Sequence, residues 1–329
     1  MIDSPISATV DFDQDGIQHG FLKLPHSHDD SGWGSMMIPI TVAKNGRGPT
    51  ALFTGANHGD EYEGPVALWD LAQSLKLADI SGRIIIVPGM NYPAFRAGKR
   101  TSPIDAGNMN RVFPGNPTGT LTEKIADYFQ RHLLPLADYV LDMHSGGKTM
   151  EFLPFCCAHV LPDKQQEARC IAAMQAFNAP HSMMLLELDA GSMYDTAAEK
   201  MGKVFISTEL GGGGSTTAHT VGVAKKGVRN FLKHAGIQQG ELEVGDTLSL
   251  DMPDQSCFVF SESIGLLEHC VDLGSYVKAG DLIGRVHDVN RTGVPPTDYH
   301  SNIDGVLTGR HFPGHIAMGD FFAVVAVPV

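Results

Sequence analysis

No apolar run in the chain approaches the ~18 residues expected of a membrane span, so no transmembrane helix is expected. The opening Met1-Ile2-Asp3-Ser4-Pro5 lacks the basic and apolar regions of a secretory signal, which makes the cytoplasm the expected compartment. Positive charge is scarce: 24 Lys and Arg stand against 37 Asp and Glu, a formal net charge of -13. With no basic stripe to neutralise phosphates, nucleic acid is not an expected partner. The acidic surplus does not by itself argue for a cationic substrate, because acidic surfaces commonly serve solubility. Cysteine is sparse and odd in number, five in all, with Cys156 and Cys157 adjacent. That argues against a disulfide framework and for reduced thiols. No second cysteine pair accompanies Cys156-Cys157, so these two read as buried structural thiols and not as soft metal ligands.

What is present is a chain of 329 residues, long enough for a full α/β core and a smaller domain. Its 43% hydrophobic and 19% charged residues exclude a disordered polymer. Ala51-Leu52-Phe53-Thr54-Gly55-Ala56 is strand-like, and Pro65 to Ala72 has helical apolar spacing. Between them lies Asn57-His58-Gly59-Asp60-Glu61-Tyr62-Glu63-Gly64, which places the H-x-x-E pair His58 and Glu61 in a strand-to-helix loop. Val140-Leu141-Asp142-Met143 is a second short apolar strand, and it ends on His144. Ligands in open α/β sheets gather outside the carboxyl ends of the strands. Two imidazoles and one carboxylate delivered to that edge leave an open position on zinc, which hydrolytic chemistry requires. One zinc per chain, held by His58, Glu61 and His144, is the expectation.

A third strand, Lys203 to Thr208, ends on Glu209 ahead of four consecutive glycines, Gly211 to Gly214. Glu209 is either a general base facing the open metal position or an exposed glutamate before a flexible loop. Asp142, two residues before His144, points to the same side of its strand. It is either an acceptor that orients an imidazole or a polar residue satisfied elsewhere. The segment Asn91 to Arg100 is too rich in turn formers and charge to read as core, and strand-end loops are where binding groups are usually placed. Arg111 is the strongest candidate for carboxylate binding, since a guanidinium holds a carboxylate through two parallel hydrogen bonds. Asn110 adds an amide donor. The competing view is that Arg111 is an ordinary surface arginine.

Three segments are expected: a small β element over 1–44, a catalytic domain over 45–240 and a β domain over 241–329. Strands and helices alternate in the middle segment, including Arg83 to Pro88, a helix around Thr122 to Phe129, a helix near Gln166 to Phe177, a strand Met183 to Leu186 and a closing helix from about Ala218 to His234. Such alternation implies an α/β fold with a largely parallel mixed sheet flanked by helices. In the last segment, short β-type runs broken by glycine, Leu273 to Val286 and Ile303 to Leu307, resemble the hammerhead half of a biotinyl or lipoyl module. It lacks the exposed lysine that such carriers modify, so a packing or oligomer-forming role is expected, and a homo-oligomer is compatible with it.

His58-x-x-Glu61, Asn110-Arg111, His144 and Glu209 stand in the order seen in the succinylglutamate desuccinylase/aspartoacylase family, relatives of the zinc carboxypeptidases. The resemblance covers roughly residues 45 to 235, and both terminal segments are also similar. It implies a zinc carboxypeptidase-like fold, Asn110 and Arg111 on the substrate carboxylate, Glu209 as general base, and Arg100 polarising the scissile carbonyl. Arg96 and Lys99 compete with Arg100 because the loop up to Asn110 differs in length from the aspartoacylase pattern. Asn108 stands where aspartoacylase-type relatives carry an aspartate, a change expected to alter the support of Arg111.

Within the family, the Gly32-Trp33-Gly34 region and the run Asn108 to Gly115 resemble the branch that deacetylates N-acetyl-diaminobutyrate in ectoine breakdown. The implied partner is therefore a small N-acylated amino acid, with Nα-acetyl-L-2,4-diaminobutyrate first. Aspartoacylase, desuccinylase or carboxypeptidase activity is the alternative within the same chemistry. A non-catalytic metal-bearing binding protein is the alternative of another class. Intact His58, Glu61, His144 and Glu209 speak against that last reading.

Overall fold

The fold is built on alternation within four adjacent parallel strands, Gly82–Val87, Thr50–Gly55, Tyr139–His144 and Val204–Glu209. The computed structural model describes residues 2–189 and 191–329. Successive side chains on a strand point to opposite faces, and here both faces are apolar. Phe53, Ile84, Ile86, Leu141, Met143 and Ile206 enter one core. Leu52, Ile85, Val87, Val140 and Phe205 enter the other.

Helices Glu63–Ser74, Lys164–Phe177 and Ala218–His234 cover the first face through residues such as Leu68, Phe177 and Phe231. Helix Leu121–Tyr128, the turns after it, helix Tyr194–Lys200 and the N-terminal strands cover the second. Phe231 is fully buried, so its truncation to alanine would cost about 3–5 kcal/mol. The expected central helices and strands are present. One strand differs: His181–Met184 ends before Leu185, so only half of Met183 to Leu186 is strand.

The sheet is parallel in its middle and mostly antiparallel toward its edges. On one side the hairpin Gly16–Pro25/Ser35–Asn45 pairs onto Gly82–Val87. On the other, Phe155–Ala158, His181–Met184, Leu248–Asp251, Phe321–Pro328 and Gly305–His311 follow in order, giving a 15-stranded mixed sheet. Strands after residue 241 thus continue the large sheet. A separate antiparallel sheet of four strands, Thr297–His300, Leu282–His287, Gly265–His269 and His315–Ile316, packs around its own core of Val259, Ile283, Val286 and Phe322. No helix among the described residues is long and apolar enough to cross a membrane.

The segment from Asn91 to Arg100 departs from expectation. Instead of an open loop it contains the short helix Tyr92–Ala97, and Asn91, Pro93 and Ala94 are buried. Proline is tolerated in the first turn of a helix, where its missing N–H breaks no bond. This helix packs against the loop that carries His58: a Cβ on Gly59 would lie 2.0 Å from the Ala94 carbonyl carbon, so only glycine fits.

Candidate metal centre and active-site cavity

Strand Thr50–Gly55 is followed by Ala56, whose φ of 51° is left-handed, a strained conformation for a residue with a side chain. This turn throws Asn57 and His58 out over the sheet edge. The chain re-enters order at helix Glu63–Ser74, which lies so close to the neighbouring strand that a Cβ on Gly64 would sit 2.5 Å from Met143 Cβ. Glu61 is consequently fixed at the foot of the helix, 2% exposed. Its Oε1 is 2.8 Å from His58 Nδ1 and its Oε2 is 2.9 Å from His144 Nδ1. Ser145 N also donates to Oε2 at 3.1 Å. One ligand atom from each of His58, Glu61 and His144 lies within 4.8 Å of the other two.

His144 is held from behind. Its Nε2 is 2.8 Å from Asp142 Oδ2, while Thr54 Oγ donates to Asp142 Oδ1 at 2.6 Å and Asn57 Nδ2 to Oδ2 at 3.0 Å. Of the two open alternatives for Asp142, the geometry is that of an acceptor orienting an imidazole. Burial opposes charge on Asp142, but the His144 imidazole and these hydrogen bonds outweigh it and hold the carboxyl below its ordinary range. Burial likewise works against Glu61, and the His58 and His144 imidazoles overcome it, leaving Glu61 ionised. His58 is pushed below the usual histidine value by burial, which favours the neutral ring that ligates a metal.

Strand Val204–Glu209 runs beside Tyr139–His144 in a register that pairs Glu209 with His144. Burial, and then the charge of Glu61, push the Glu209 carboxyl up to about 8. Among the described residues its Oε2 has no hydrogen-bond partner. Two imidazole Nδ1 atoms on opposite oxygens of one buried carboxylate, beside a second carboxylate short of positive charge, form a donor set that suits a divalent cation. The residues present therefore fit the expected metal.

His58, Arg100, Asn110, Arg111, His144 and Glu209 all line one cavity of about 410 Å³, and Glu61 lies just behind it. Arg100 Nη1 is 3.7 Å from Glu61 Oε1. Arg96 is instead engaged with the Tyr92 hydroxyl at 3.4 Å, and neither it nor Lys99 lines the cavity. Asn110 Oδ1 accepts from Tyr194 N at 3.0 Å, which leaves Nδ2 as the side chain's donor. Arg111 Nε donates to Asp189 at 3.2 Å.

Asn108 Oδ1 accepts from Asn110 N at 3.1 Å, so its side chain braces the backbone turn, while Asp189 is the acidic partner of the Arg111 guanidinium. Two parts of the cavity were not foreseen. Acidic residues Glu187, Asp189 and Asp195 form part of its wall, and Met252, Phe258, Phe321 and Val324 bring in strands from beyond residue 241. The C-terminal segment thus shapes the cavity as well as packing.

Residues 47–235 match the succinylglutamate desuccinylase/aspartoacylase catalytic domain family. The chain is 56% identical over 325 residues to the N-alpha-acetyl-L-2,4-diaminobutyric acid deacetylase of Halomonas elongata, covering 98% of this chain and 95% of that one. Among solved structures it resembles the product-bound ectoine utilization protein EutE (DoeB) of Ruegeria pomeroyi, with 62% identity and a TM-score of 0.98 over 99% of this chain and 100% of that chain. A succinylglutamate desuccinylase/aspartoacylase from Rhodobacter sphaeroides aligns with 37% identity and a TM-score of 0.95, again over 99% and 100%. A motif set gathered into one cavity and a family match over more than half of the chain lead to one conclusion: the chain belongs to the succinylglutamate desuccinylase/aspartoacylase family.

Proposed function

We propose that this chain is a zinc-dependent, cytoplasmic deacetylase that hydrolyses Nα-acetyl-L-2,4-diaminobutyrate to diaminobutyrate and acetate. The observation that carries the reading is the convergence of His58, His144 and Glu209 with Asn110 and Arg111 in one cavity, in a chain 56% identical to a relative named for that reaction. His58, Glu61 and His144 would hold one zinc, which when bound supplies Lewis-acid activation of water and of the scissile carbonyl.

The remaining work falls to the chain's own residues. Arg111 and Asn110 bind the α-carboxylate and thereby set the scissile amide against Glu209. Glu209, with a free Oε2 in a buried setting, takes a proton from the attacking water and returns it to the leaving amine. Arg100 donates to the carbonyl oxygen as negative charge develops there. The apolar wall around Met183, Phe258 and Phe321 excludes water from the reacting groups.

Steady-state hydrolysis of Nα-acetyl-diaminobutyrate, Nα-acetyl-aspartate and Nα-succinyl-glutamate by metal-loaded protein tests the reading. The first should have the highest kcat/KM. Faster hydrolysis of an acidic substrate would move the function to the aspartoacylase or desuccinylase alternative.

A further inference from the structure

Arg111 and Asn110 account for a carboxylate, and Glu209 and the candidate metal ligands for an amide. The same cavity holds further charged groups that this chemistry does not use. Glu187 and Asp195 both line it, and the charge of Asp195 acts on the Glu187 carboxyl. The buried Cys157 thiol, Glu187, Asp195 and the candidate base Glu209 all line this one cavity. Behind them is His159, 7% exposed, with Nδ1 bonded to Glu199 at 2.8 Å. Its Nε2 has no hydrogen-bond partner among the described residues and faces Glu187 Oε1 across 3.8 Å.

The charge balance of this group is uneven. Three carboxylates, Glu187, Asp195 and Glu199, meet one imidazole. The cavity's two arginines are placed elsewhere, Arg111 against Asp189 and Arg100 near Glu61. Even with His159 protonated, two negative charges lack a counter-charge. Carboxylates crowded on one half-buried wall resist joint ionisation unless a cation or a proton offsets their charge. Burial and Asp195 together push Glu187 up to about 7, which favours its protonated form over that of an ordinary carboxyl.

We propose that Glu187 and Asp195 form the subsite for a primary ammonium group on the substrate side chain, with Glu187 as the main specificity determinant. The ammonium supplies the missing positive charge and donates to both carboxylates, while His159, itself held by Glu199, faces Glu187 from behind. This deepens the deacetylase reading and rests on it, since it supplies the contact that separates a diaminobutyrate side chain from an aspartate or glutamate one. An acidic side chain would meet two carboxylates and be rejected by like charge.

The test compares Nα-acetyl-2,4-diaminobutyrate with Nα-acetyl-2-aminobutyrate, which has the same carbon chain without the amine. The unmodified enzyme should favour the amine by roughly ten- to a hundredfold in kcat/KM, the range expected for hydrogen bonds to a charged group. Glu187→Gln should collapse that ratio to within about threefold, mainly through KM for the amine substrate. Asp195→Asn should move it the same way, which covers the case in which one variant fails to fold. Calorimetric titration with 2,4-diaminobutyrate and 2-aminobutyrate reads the same preference without turnover.

A ratio near one in the unmodified enzyme, or a ratio that survives both substitutions, overturns the subsite while leaving the deacetylase reading in place. Preferential binding of diaminobutyrate that disappears in Glu187→Gln, without hydrolysis of either acetyl compound, keeps the subsite and overturns the deacetylase reading.

Discussion

His144 Nε2 lies 2.8 Å from Asp142 Oδ2, and this contact decides that Nδ1 is the nitrogen turned toward Glu61. Both residues sit on one strand two positions apart, so the pleat puts them on one face. Asp142 accepts from Thr54 and Asn57 as well. In Asp142→Asn a single amide oxygen would have to serve donors that now use two. The variant is expected to fold and to bind metal about ten- to a hundredfold more weakly. Chelator competition checks the affinity, and a melting curve checks the fold.

His58→Ala should abolish stoichiometric metal binding, because it removes one of three clustered ligands. Elemental analysis of unmodified protein and variant, purified side by side, is the measurement. Equal metal content in the two would show that His58 is not a ligand.

Glu209→Gln should keep its metal and lose turnover by at least about a hundredfold, since an amide cannot accept a proton from water. The decisive comparison is kcat together with metal content. A variant retaining more than a tenth of the original kcat would remove Glu209 from the role of base.

Arg111→Ala removes a charge-assisted carboxylate contact worth about 1.5–3 kcal/mol. The expected outcome is a fall of roughly ten- to a hundredfold in kcat/KM for a free α-carboxylate substrate. An analogue with the carboxylate replaced by an amide should change little. Comparable losses on both would mean that Arg111 supports the protein and does not read the carboxylate.

Stability should fall as pH rises from about 6.5 to about 9, and His159 is the group whose contribution spans that whole window. Burial opposes its charge, but Glu199 outweighs burial and raises the imidazole to about 9. A histidine raised in the folded state contributes stability that is complete below its unfolded value of about 6.5 and is lost through the folded one. The contribution is on the order of 3 kcal/mol at most. Glu187, raised by burial to about 7, acts in the same direction over a lower range, losing stability as pH climbs from its ordinary value. Melting temperatures of unmodified protein and His159→Gln across pH 6 to 9.5 separate the two, since the substitution should flatten only the upper window.

The candidate site residues were legible in the sequence for a simple reason. His58, His144 and Glu209 each follow a mostly apolar run, and a parallel strand buried on both faces writes itself as such a run. The helix Ala218–His234 was legible from its spacing for the same kind of reason. Asn91 to Arg100 misled because polar and turn-forming residues usually mark exposure, whereas here Asn91 and Pro93 are buried and Ala94 packs against Gly59 of the His58 loop. Glu187, Asp189 and Asp195 carried no signal, because the first two lie between a strand and a helix in a stretch with no period and Asp195 opens the short helix Tyr194–Lys200. Phe258 and Phe321 look like core residues locally. Only the tertiary path of the strands after residue 241 turns them toward the cavity.

The pairing of Glu209 with His144 across two parallel strands ties the chemistry to a mechanical constraint. Moving strand Val204–Glu209 by one residue would send Phe205 into the wrong core and Glu209 to the opposite face together. The strand therefore cannot drift into an inactive alignment while remaining well packed. A deletion within it should yield a chain that fails to assemble, not a stable folded enzyme with a misplaced base, so correct folding itself proofreads the catalytic geometry.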